Sequence, residues 1–69
     1  MNTRYHAAIQ MTDGRRLPVF AGRKATCFKS VEKAIRAIES KRIAGRGFVW
    51  ASGKTFADTP FSEIYTIAL

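Results

Sequence analysis

With one cysteine, one histidine and five carboxylates among 69 residues, the chain is short of nearly every group that does covalent or metal chemistry. A lone Cys27 forms no internal disulfide, whereas small secreted domains generally rely on several bridges. A reducing, cytoplasmic setting is therefore expected, with Cys27 packed as a small buried hydrophobe. A nucleophile–base arrangement would depend on His6 alone, and His6 falls on the polar side of an alternating segment. A structural zinc site takes four nitrogen or sulfur ligands, and the chain holds two candidates. No stretch approaches the ~18 to 20 apolar residues of a membrane span, and Met1 to His6 do not open the apolar run of a signal peptide. The expectation is a soluble protein with no catalytic centre, cofactor, metal or membrane partner. Repeats, linkers and low-complexity tracts are also missing, so residues 1–69 read as a single domain.

Apolar residues, by contrast, run through the whole chain, with Tyr5, Phe20, Phe28, Phe48, Trp50, Phe56, Phe61 and Tyr65 spread along it. That is core material, not the composition of a disordered tail. A domain this short buries only about 60% of the surface its unfolded chain exposes, so dimerisation would be a natural source of extra stability. The charge is lopsided. Residues 14–54 hold eleven Lys or Arg against Glu32 and Glu39, a local +9, whereas residues 55–69 hold only Asp58 and Glu63, a local −2. A field of that shape concentrates anionic partners.

Alternation of Tyr5, Ala7, Ile9 and Met11 with Arg4, His6, Ala8 and Gln10 predicts a half-buried strand over Thr3 to Met11. Asp13-Gly14 supplies a tight-turn signal, and Leu17 to Ala21 returns as a second strand. Pro18 marks that strand as an edge, because proline donates nothing to a ladder. Gly22, Arg23 and Lys24 form a turn, after which Ala25 to Phe28 is either a short strand or the approach to a helix. Ser30 is a suitable N-cap with Glu32 favourably placed in the first turn, and the helix should run to about Arg42. Its apolar stripe is Val31, Ala34, Ile35 and Ile38, with Lys29, Lys33, Arg36 and Ser40 opposite. Gly45 and Gly47 are expected to stop the helix. Phe48 to Ser52 then makes a strand and Ser52-Gly53-Lys54 a turn. Ser62 to Leu69 closes as a strand apolar on both faces, the pattern of one that is central or covered by a partner. The predicted fold is α+β: an antiparallel sheet of four strands in ββαββ order, five if residues 25–28 pair, with one amphipathic helix across a face.

Two motifs invite chemistry. Ser52-Gly53-Lys54-Thr55 fails as a P-loop, G-x-x-x-x-G-K-[ST], because Phe48 occupies the first glycine position and the segment after Thr55 runs into Pro60 instead of a helix. Arg46-Gly47-Phe48-Val49-Trp50 resembles the opening of the RNA-recognition-motif signature, K/R-G-F/Y-G/A-F-V, whose alternate aromatics stack bases. The resemblance covers five residues, with Val49 in place of the expected small residue and ββαββ in place of that family's βαββαβ order. It implies stacking by Phe48 and Trp50, which share one strand face. If that face meets the helix, they are core.

The remaining constellation is basic. Lys29, Lys33 and Arg36 at the helix, Arg15, Arg16, Arg23 and Lys24 at turns, and Arg42 and Arg46 beyond the helix are the candidate contacts to nucleic acid or another anionic partner. The leading functional reading is a small non-enzymatic protein that binds nucleic acid or a nucleoprotein complex. The alternative is an inhibitor or adaptor docking its basic face on an acidic protein surface. In size, charge and architecture the chain is similar to compact phage and plasmid products, including anti-CRISPR proteins. A third expectation is self-association through the C-terminal strand, giving a homodimer, since exposed strand edges template pairing.

Overall fold

A computed structural model describes residues 3–24 and 26–69. Five regular elements follow in the order β1 (Tyr5–Met11), β2 (Arg16–Val19), α1 (Val31–Ser40), β3 (Gly45–Ala51) and β4 (Tyr65–Ala68), with one 3₁₀ turn at Phe61–Glu63 before β4. The strands form a single antiparallel sheet ordered β2-β1-β3-β4, and α1 lies across β1, β3 and β2.

The β1–β2 hairpin closes where the Asp-Gly signal puts it. Met11 N–H donates to the Arg15 carbonyl at 2.8 Å and Gly14 takes φ 93°, a conformation cheap only for glycine. Pro18 stands in β2, an edge strand as expected. Where β2 ends, Phe28 takes its place beside Tyr5 through one isolated bridge, with reciprocal backbone hydrogen bonds of 2.9 and 2.8 Å. This single bridge is what stands at the end of the proposed 25–28 strand, and no fifth strand forms among the described residues; Ala25 itself lies outside them.

Ser30 caps α1, its backbone extended and its Oγ accepting the Lys33 N–H at 3.2 Å. The stop is not where the glycines suggested. Arg42 takes the left-handed conformation, φ 55°, directly after the last turn, while Gly45 and Gly47 belong to β3. Their role is close approach. A Cβ on Gly45, φ 146°, would collide with the Gln10 carbonyl oxygen, and one on Gly47 would stand 2.8 Å from Ile67 Cγ1 and 2.9 Å from Ile38 Cγ2. Glycine 47 therefore lets helix and sheet meet.

Strand alternation divides the apolar residues between two sides. Ala7, Ile9, Val19, Phe28 and Val49 pack with Ala34 and Ile38 of the helix. Ala8, Phe48 and Trp50 point to the other side and pack with Phe56 and Ile64. The C-terminal strand is shorter than its pattern implied, because Pro60 leads into the 3₁₀ turn that takes Phe61–Glu63. It is also an edge strand, not a central one, and Tyr65 is 53% exposed. Among the described residues no helix is long and apolar enough to cross a membrane.

Candidate anion-binding surfaces

The helix presents its basic residues to water. Lys33 and Arg36 lie opposite the buried Ala34 and Ile38, and both are exposed. Lys29 and Lys33 line one hollow of about 410 Å³ together with Arg4, between walls made by Ala21, Cys27, Phe28 and Ala37. Three cations and no carboxylate share that hollow, which makes it a site of concentrated positive potential. Arg4 was not among the candidate residues. It is separated from Lys29 by the whole first hairpin and the loop after it, and the Tyr5–Phe28 bridge draws the two segments together. No local signal in the sequence reveals that meeting.

A second group lies on the face away from the helix. Gln10 is the cross-strand neighbour of both Arg16 and Arg46, so the two arginines flank it in one row, about 10 Å apart at strand spacing. The Arg16 guanidinium sits 4.3 Å from the Phe56 ring centroid, within cation–π range. Beside it a hollow of about 500 Å³ opens between β2 and the loop after β3, lined mainly by Pro18, Phe20, Trp50 and Phe56, with His6, Arg16 and Lys54 among its polar groups. Phe20 is 55% exposed there.

The remaining candidates are spread around these two groups. Arg23 and Lys24 are exposed in the loop after β2, and Arg42 shares a hollow with Glu39 and Leu69 beyond the helix. Arg15 is tied to Asp13, its backbone N–H donating to Oδ1 at 3.0 Å and its Nε to Oδ2 at 2.7 Å. These contacts, the backbone one foremost, hold the Asp13 carboxyl below the usual carboxylate range. Being depressed in the fold, it steadies the turn above the ordinary carboxylate pKa and ceases to do so as the pH falls through its lowered value. Arg36 pairs with Glu32 at 2.8 Å and Lys54 with Glu63 at 3.6 Å, all well exposed. Exposed pairs of this kind are weak and readily exchanged for a stronger anion. Among the described residues Arg16, Arg23, Lys24, Lys29, Lys33, Arg42 and Arg46 have no carboxylate within ion-pair distance.

Phe48 and Trp50 face away from the helix, yet they are buried, 8% and 9% exposed, because the loop after β3 folds back over them. Phe56 stands edge-on to both rings, with centroids 5.2 and 5.0 Å away, and Trp50 Nε1 donates to the Lys54 carbonyl at 3.2 Å. Phe56 thus covers part of both rings, and Ile64 packs against the same cluster.

His6 and Cys27 meet, Nδ1 lying 3.7 Å from Sγ, and Cys27 is half-buried instead of fully enclosed. The bridge beside them causes this too. Among the described residues no group of three His, Cys, Asp or Glu side chains is placed to hold a metal ion. No known family model, curated protein or solved structure matches the chain.

Proposed function

We propose that this protein is a small, non-enzymatic binder of nucleic acid, free or within a nucleoprotein complex, which it holds through phosphate contacts from the helix and its adjoining loops. The observation that carries this reading is the hollow where Arg4, Lys29 and Lys33 converge without a carboxylate, next to the exposed Arg36. A net charge of +7 adds long-range attraction to a polyanion. Phosphate contact fixes position without reading sequence, so similar affinity for unrelated sequences is expected.

Fluorescence anisotropy of a labelled duplex across a salt series tests it. With six phosphates contacted, log affinity falls against log salt with a slope of roughly −5, at about 0.9 per phosphate. Lys33→Glu with Arg36→Glu should weaken binding and flatten that slope by roughly 2, from the two lost contacts. Circular dichroism should show the fold intact, since both side chains point to water. Affinity that ignores salt, or that survives the charge reversal, would overturn the reading.

One observation favours a second reading. The apolar hollow with exposed Phe20 and its neighbouring Arg16 has the aromatic and arginine composition of protein interfaces. Retention of an acidic protein after nuclease and a high-salt wash, with no nucleic acid bound, would make the protein an inhibitor or adaptor instead.

A further inference from the structure

We infer that the free edge of β4 pairs with the same edge of a second copy, antiparallel about a twofold axis through Ile67. The inference is independent of what the basic residues bind. Leu69 N–H donates to the Gly45 carbonyl at 3.0 Å, within a register that pairs Ile67 with Gly47 and Tyr65 with Val49. Backbone groups along an antiparallel strand alternate between its two sides. Residues 65, 67 and 69 thus bond β3, and the N–H and C=O groups of Thr66 and Ala68 point away from the sheet.

The two edges of the sheet differ in how they are protected. In β2, Met11 bonds Arg15, so by the same alternation Arg16 and Pro18 face outward. Pro18 offers no donor there and Arg16 brings a charge, both common means of blunting an edge. Residues 64–69 contain no proline and no charged side chain. A strand apolar on both faces is normally central or covered, and the strand order excludes the first.

The register is self-complementary. With the axis on Ile67, Thr66 exchanges hydrogen bonds with Ala68 of the second copy, and Tyr65 lies opposite Leu69 of the second copy. Tyr65 and Leu69, 53% and 37% exposed, share the helix side of the sheet with Ile67, which packs against the core between them. Each would be covered by the other. Because the axis is perpendicular to the sheet, both helices stand on the same side of one continuous sheet.

Size-exclusion chromatography with light scattering tests the pairing. A four-residue edge makes a weak contact, so the mass should rise from 7.7 kDa to twice that value between micromolar and millimolar concentration. Thr66→Pro, which removes only an outward donor, should hold the protein at the monomer mass with an unchanged melting curve. Tyr65→Lys with Leu69→Lys should do the same without touching the backbone, and serves if the proline variant melts early. In a Cys27→Ser background, Ile67→Cys should form an intermolecular disulfide on oxidation, since the axial pair brings two Cα atoms within bridging distance. A native chain that stays monomeric at millimolar concentration would overturn the inference. So would a dimer that survives both the proline and the lysine variants, or one that gives no Ile67→Cys crosslink.

Discussion

Ile38→Ala is expected to remove about 2 to 5 kcal/mol of stability, read as a lowered midpoint in urea denaturation. Ile38 of α1 is fully buried, its Cγ2 lying 2.9 Å from where a Cβ on Gly47 of β3 would stand. Truncation leaves a void, and the neighbour across the interface is Gly47, which has no side chain to fill it. A domain of this length has a total stability of roughly 3 to 10 kcal/mol, so the variant should be substantially unfolded at moderate temperature. Ile35→Ala is the matched control. Ile35 belongs to the same apolar stripe and the sequence pattern gives it equal weight, but it is only half-buried and should cost less. Equal losses at the two positions would mean that the helix is rotated about its axis from the orientation described.

Phe56→Ala is expected to open the face away from the helix, at a cost of about 1 to 3 kcal/mol. This is less than the loss for a fully buried phenylalanine, because Phe56 is half-exposed. Its ring contacts both Phe48 and Trp50, and edge-to-face pairs of this kind add to simple burial. Trp50 is the only tryptophan, so the consequence is directly visible: its emission should shift to the red and become accessible to iodide. An unchanged spectrum would show that the loop after β3 does not depend on Phe56 for its position. The same variant tests whether Phe48 and Trp50 can hold bases. Uncovering them should raise affinity for single-stranded oligonucleotides if they stack, and leave it unchanged if they are packing residues alone.

Charge reversal on the helix and disruption of the β4 edge are separable from these two. The first should change affinity and salt dependence without changing mass, and the second should change mass without destabilising the monomer. Neither set of residues contributes to the buried clusters around Ile38 or Trp50, except for Ile67, which flanks the first.

Much of the fold was legible from neighbouring residues because the forces involved are local. Alternation in Tyr5 to Met11, the positive φ available to Gly14, the hydroxyl of Ser30 and the apolar stripe of α1 each act within a few residues. The same holds for Pro18, whose missing donor consigns β2 to an edge. Short-range signals are ambiguous elsewhere. Glycines that resembled a helix stop are strand residues, because what they satisfy is close approach to Gln10, Ile38 and Ile67 from distant segments. The last strand resembled a buried one, because hydropathy records preference for burial and not position in the sheet.

The amino-acid sequence by itself determined the element types, the single amphipathic helix and a positive charge far in excess of the carboxylates. Tertiary structure alone decided that Arg4 joins Lys29 and Lys33 and that Arg16 and Arg46 flank Gln10 on the opposite side. It also decided that Phe56 covers Phe48 and Trp50, and that β4 is left with a free edge. The physical reason is that periodicity reports which way a side chain faces relative to its own backbone. Which groups it meets there depends on strand order and on loops closing between residues far apart in the chain, and those are set by the packing of the whole domain.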